Sequence, residues 1–277
     1  MDGSPQLSVS LLPGARELLR VHARELPQRD DFCGAFCASL ALAVAGVEAS
    51  AGVALDQDEV ALAAGTTVSR VPHTSSLPQG ESGRRDYRLA PPFIDEDEES
   101  GTTAPGLVSA IEELSHGRLT ALPFAGPWSE ATIAAMFDAA LELEQPVTLV
   151  ANVATRHFWG AGASVAQLLD YLIDGELDGP PPDWDVGHFT CVAGRVRGPG
   201  GVLYAIVDTY PSLGARGVHV QTQERLALAL RRPGMAPGGV IAVVGSADAA
   251  RVRERAHAAG LHEGAWDNGS VAFERHT

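Results

Sequence analysis

Four side chains carry the chemistry this sequence could do: Gln28, Cys33, His188 and Asp208. Cys33 stands where a polar loop, Gln28-Arg29-Asp30-Asp31-Phe32, gives way to the apolar run Cys33–Val47. The run reads as a helix, which puts the thiol in its first turn. Backbone N–H groups are unpaired there and the helix dipole is positive, a setting that lowers a thiol's pKa and makes it a nucleophile. A thiol nucleophile needs a base, a group to orient the base, and donors for the developing oxyanion. His188 opens a strand candidate, 188–197, and is the candidate base. Asp208 closes the next strand, 202–208, and is the candidate orienter. In a hairpin the start of one strand lies opposite the end of the next, so the two meet by geometry. The Gln28 amide and the Cys33 N–H are the candidate oxyanion donors.

Elements must place these groups. Residues 14–25 read as a helix closed by Pro27, and residues 33–47 as a helix apolar almost all round, hence central and buried. Asp56-Gln57-Asp58-Glu59 starts a helix that Gly65 stops. Helices are expected over 105–116, 129–144, 164–173, 223–232 and 246–259, and strands over 146–153, 188–197, 202–208, 217–222 and 239–244. Gly198-Pro199-Gly200-Gly201 makes the hairpin turn. Val271-Ala272-Phe273 reads as a short last strand and residues 1–12 as a loose arm. Residues 66–105, rich in Pro, Ser, Gly and acidic side chains, read as a long loop: a solvated excursion, or a lid facing substrate. Helices first and an antiparallel sheet later give an α+β chain, with residues 1–277 as one domain carrying a loop insertion at about 66–105.

The order Gln…Cys-Gly…His-Phe…Asp resembles that of the papain-like cysteine peptidases. Within them it is similar to the bacteriocin-processing double-glycine peptidases, and phytochelatin synthases look alike too. The residues that carry the resemblance are Gln28, Cys33-Gly34, Gly187-His188-Phe189 and Asp208, in two blocks, 28–47 and 186–211. Here Thr209-Tyr210-Pro211 follows the aspartate, where the double-glycine peptidases have Pro directly. The spacing from Gln28 to Cys33 is also one residue shorter than in these families. The resemblance implies a papain-like fold, with a central N-terminal helix carrying Cys packed on a C-terminal antiparallel sheet carrying His and Asp. It also implies Cys33 as nucleophile, His188 as base, Asp208 as orienter and Gln28 in the oxyanion hole. The activity implied is peptide or amide hydrolysis through an acyl-enzyme, with the maturation of a ribosomally made peptide as a setting. Acyl transfer to an amine at the same site is the second reading, and a catalytically silent peptide-binding module the third.

Other candidates surround this set. Trp184, just before His188, is placed to wall the cleft, as are His157 and Trp159 in Thr155-Arg156-His157-Phe158-Trp159. His157 is a rival base, but no carboxylate is expected opposite it. Cys33, Cys37, His188 and Cys191 could be drawn as a zinc set. Strand alternation puts His188 and Cys191 on opposite faces, so Cys37 and Cys191 are expected in the core and neither metal nor cofactor is expected.

The bulk composition limits the rest. Apolar residues are 45% of the chain, enough for a large core, and the formal net charge is −15. Such a charge repels nucleic acid and anionic membranes. There is no lysine, which excludes Schiff-base, Ser-Lys and Walker-type lysine chemistry. Three cysteines make no disulfide framework. With no apolar run of spanning length and no leader pattern at residues 1–6, a cytoplasmic location is the expectation.

Overall fold

The computed structural model describes residues 6–47, 55–72 and 77–273. The chain is a mixed α+β protein built on one large antiparallel sheet. Its strands are β1 (Ser8–Leu11), β4 (Leu119–Ala125), β5 (Thr148–Ala154), β6 (Gly187–Arg197), β7 (Val202–Val207), β8 (Val218–Thr222), β9 (Gly239–Gly245) and β10 (His262–Glu263). They run in the order β10-β4-β9-β5-β6-β7-β8, with β1 added to the far half of β6. A separate two-stranded parallel pair joins β2 (Val68–Ser69) to β3 (Phe93–Ile94).

Helices cover both faces of the sheet. On one side lie α1 (Ala15–Glu25), α2 (Cys33–Val44), α3 (Gln57–Ala64) and α4 (Ala104–Leu114); on the other lie α5 (Glu130–Leu141), α7 (Gln223–Arg231) and α8 (Ala249–Ala258). The helix α6 (Val165–Asp174) packs apart from both, on Trp159 and Leu203. Side chains of successive strand residues go to opposite faces. In β9, Ile241 and Val243 join the core under α2 while Val240, Ala242 and Val244 join the core under α7 and α8. The sheet is therefore dry on both sides, which explains its nearly continuous apolar strands.

α2 sits at the centre of the first core. Phe36, Cys37, Ala38, Leu40 and Leu42 are all fully buried, so no face is left for water, as the apolar run predicts. Gly34 lets it approach its neighbours: a Cβ there would lie 3.0 Å from Leu107 Cδ1 and Thr102 Cβ and 3.2 Å from the Phe189 ring. α3 is capped by Asp56 and ends at Gly65 in the left-handed conformation, as its sequence anticipates.

Three expectations are corrected. Residues 8–11 are not a loose arm but pair with Gly194–Arg197 of β6. A bulge between Val192 and Gly194 opens β6 to β1, and a Cβ at Gly194 would meet Leu11 Cδ2 at 2.8 Å. Val271–Phe273 is not a strand; among the described residues the last strand is β10. The described part of 66–105 is not a solvated excursion. Arg84 exchanges two backbone-level hydrogen bonds with Asp30, donating from its N–H to Oδ1 (2.7 Å) and accepting at its carbonyl (2.9 Å). The Arg85 guanidinium holds the Ser69 carbonyl and the Arg88 N–H holds Asp58. The segment straps the loop that leads into α2. Among the described residues no helix is long and apolar enough to cross a membrane.

Candidate active site

The loop before α2 is held from every side. The Arg29 guanidinium makes a buried ion pair with Asp58 at 2.7 Å, and its N–H donates to Gln57 Oε1 at 2.6 Å. Asp31 takes the left-handed conformation (φ 65°). Its carboxylate accepts from the Ser69 N–H (2.9 Å) and the Ser100 hydroxyl (3.1 Å). Aspartate tolerates this backbone region better than most side chains. The result delivers Cys33, half-buried, to the first turn of α2. No side chain caps this helix and its first turn holds no acidic residue, so its N-terminal N–H groups are left for a ligand.

β6 and β7 bring the other two groups in as predicted. The Gly198 N–H closes the turn on the Gly201 carbonyl, and Cys191 lies opposite Val207. His188 Nε2 then meets Asp208 Oδ1 at 2.9 Å, with both side chains at most 2% exposed. The Cys33 side chain stands close enough to His188 to help raise the imidazole pKa. Burial opposes charge on His188, but the Asp208 carboxylate and the Cys33 sulfur outweigh it and raise the ring to about 10. Burial likewise opposes charge on Asp208, and His188 and His219 overcome it and hold the carboxyl well below its usual range.

Asp208 has more partners than the sequence suggests. The Thr209 N–H donates to Oδ1 (2.7 Å) and His219 Nε2 meets Oδ2 at 3.1 Å. Gln221 sets the His219 tautomer. Its Oε1 accepts the Trp159 N–H (2.7 Å), so its Nε2 is the end that reaches both the Trp159 carbonyl (2.8 Å) and His219 Nδ1 (3.0 Å). Nδ1 must therefore accept, and the ring proton lies on Nε2, pointing at Asp208. His22 Nε2 donates to the Asp208 backbone carbonyl at 2.6 Å, and burial lowers its pKa so that the ring stays neutral. Neither histidine was anticipated. His219 gives only a weak signal, one polar residue inside the alternating strand Val218-His219-Val220.

Cys33, His188 and Gln28 line a cleft of about 870 Å³, within the range of small-molecule sites. Gln28 is 5% exposed, and its N–H donates to the Thr209 carbonyl at 3.1 Å, tying the loop before Cys33 to the residue after Asp208. Trp184 also lines the cleft, its ring edge-on to His188 with centroids 4.7 Å apart. The segment after β2 supplies a further wall with Asp97, Ser100 and Thr102.

His157 and Trp159 do not line the cleft, which corrects the sequence expectation. Trp159 is 2% exposed, packs edge-on to Tyr171 at 5.8 Å, and is pinned through its backbone by Gln221. His157 lies in the short 3-10 turn after β5, beside α7, where burial and Arg156 lower its pKa. Cys37 and Cys191 are fully buried in the core, and burial drives the Cys37 thiol well above its ordinary value. Among the described residues no cluster of His, Cys, Asp or Glu could hold a metal.

Residues 12–267 match the profile of the Family of unknown function (DUF6885). The chain belongs to this family. Among curated proteins none matches it. The family match spans Gln28, Cys33, His188 and Asp208, and leaves their chemistry to be argued from geometry.

Proposed function

We propose that this member of DUF6885 is a papain-like thiol hydrolase that cleaves a peptide or amide through an acyl-enzyme on Cys33. One observation carries the reading: the thiol sits at an uncapped helix N-terminus, beside an imidazole whose far nitrogen is bonded to a buried carboxylate, inside one cleft. The central helix bearing Cys and the antiparallel sheet bearing His and Asp support the same resemblance as the motif order.

His188 takes the Cys33 proton, giving a thiolate and an imidazolium. The thiolate attacks the acyl carbon, and the carbonyl oxygen becomes an oxyanion met by the Cys33 N–H and the Gln28 amide. As the C–N bond breaks, the imidazolium gives its proton to the leaving amine. Water then attacks the thioester while His188 takes its proton. The acid is released and the thiol restored. Asp208 holds the ring and its charge throughout, and does not itself accept the proton. Trimming of a ribosomally made peptide is the setting that the motif resemblance favours.

A screen of peptide and amide substrates tests this. Turnover must vanish in Cys33→Ala and fall by about 100-fold or more in His188→Ala, the usual range for a positioned acid–base group. Full turnover in Cys33→Ala ends the proposal.

A further inference from the structure

Among the cleft's charged side chains, Arg232 is a buried guanidinium that acyl transfer does not use. Arg232 follows the last turn of α7, is 4% exposed and lines the cleft with Cys33 and His188. Its Nη1 donates to Asn152 Oδ1 (2.6 Å) and to the Pro237 carbonyl (3.0 Å). Its Nε is buried with no partner, and no carboxylate pairs with the guanidinium among the described residues. A buried cation without a counter-charge is costly unless something else supplies one. Burial pulls the Arg232 pKa down, and the neighbouring Cys33 side chain opposes that pull.

The fold makes room for this side chain at several places. A Cβ at Gly187, next to His188, would lie 2.3 Å from Nη2, and one at Gly238 would lie 2.7 Å from Cδ. Asn152, which receives Nη1, is itself oriented by the Trp266 indole N–H at 3.2 Å. Arg232 also takes the left-handed conformation (φ 48°, ψ 52°) at the helix end, where glycine is the common choice. Strain of that kind persists where the side chain is needed.

We infer that Arg232 is the receptor for a carboxylate of the substrate, bound beside the bond that Cys33 attacks. With Nη1 taken, the Nε–Nη2 edge remains. That edge is two parallel N–H groups, the fork that fits a carboxylate. The ligand class is a peptide or amide with a carboxylate next to the scissile bond, either a terminal α-carboxylate or an acidic side chain. The inference rests on Cys33 being the nucleophile of the proposed function.

Two alkylating reagents test it without a known substrate. In both, the thiolate of Cys33 displaces iodide from a CH2 group; iodoacetate carries a carboxylate where iodoacetamide carries a neutral amide. Labelling is read at each cysteine by peptide mass spectrometry. Cys33 alkylation by iodoacetate is expected to saturate with reagent concentration. Its rate relative to iodoacetamide should fall by about tenfold or more in Arg232→Gln, and less in Arg232→Lys, as for loss of a charge-assisted hydrogen bond. His188 is present in every variant, so its own attraction for iodoacetate cancels. In the wild-type protein, N-acetylglycine should protect Cys33 if the site takes a terminal α-carboxylate, and the α-amide of N-acetylaspartate if it takes an acidic side chain. These protections keep the test sound if Arg232→Gln does not fold. An unsaturated iodoacetate rate with protection by neither compound overturns the inference, as does an equal fall with both reagents in a folded Arg232→Gln. If instead neither reagent labels Cys33 faster than Cys37, the proposed function itself fails.

Discussion

Asp208→Asn keeps the shape of the site and removes its charge. The imidazole of His188 is raised from 6.5 to about 10, which at 1.36 kcal/mol per pH unit favours its charged form by roughly 4–5 kcal/mol. Most of that gain comes from the carboxylate 2.9 Å away. Breaking a buried pair on one side costs about 3–5 kcal/mol, so the variant should lose that much stability near pH 6. The sign with pH follows from both partners. His188 is raised on folding, so its contribution is whole below pH 6.5 and drains away as the pH climbs through about 10. Asp208 is depressed on folding, so its contribution is present above its ordinary 3.8 and is lost as the pH falls through the lower folded value. Urea unfolding of both proteins at pH 6 and pH 9.5 gives the difference, in which groups common to both cancel. The gap should shrink to about 1 kcal/mol at pH 9.5, because little of the imidazolium stabilisation is left so close to 10. A gap that stays constant between the two pH values would refute the ion-pair argument.

Other perturbations have equally definite outcomes. His219→Phe leaves Asp208 Oδ2 without its donor, so thermal unfolding should show a loss of about 1–3 kcal/mol; His219→Gln, which can still donate, should recover part of it. Gly34→Ala pushes a methyl to 3.0 Å from Leu107 and Thr102, and a denaturant titration should record about 1–3 kcal/mol of overpacking cost. Trp159→Ala should cost about 3–5 kcal/mol while leaving Cys33 alkylation unchanged in the folded fraction. Trp184→Ala should cost only about 0.5–1.5 kcal/mol for its lost ring contact, yet move the pH profile of that alkylation, since its ring abuts His188.

The parts of the site legible in the sequence are those set by local pattern. α2 is apolar on every side and α3 is bounded by Asp56 and Gly65, so both can be placed from residue types alone. The β6–β7 hairpin follows from its Gly-Pro-Gly-Gly turn, and with it the meeting of His188 and Asp208. β4 is invisible because Pro123 sits inside it, and a proline argues against a sheet strand. β1 is short and mostly exposed and is ordered by its partner. The strap formed by 77–105 has the composition of a solvated loop. Its order comes from Arg84, Arg85 and Arg88 reaching polar partners far away in sequence, and no periodicity records such pairings. Trp159 shows the opposite failure: an aromatic beside a histidine looks like a cleft wall, and long-range packing on Tyr171 makes it core. Arg232 reads in the sequence as nothing more than the end of a helix.

The central claim is that Cys33 forms an acyl-enzyme with His188 as its base. Incubation with p-nitrophenyl acetate at pH 7, an acid quench and peptide mapping would test it most directly. The account predicts one acetyl group, on Cys33, formed in a burst that is lost in Cys33→Ala and slowed about 100-fold or more in His188→Ala. Acetyl groups absent from Cys33, or formed there at the same rate without His188, would contradict it.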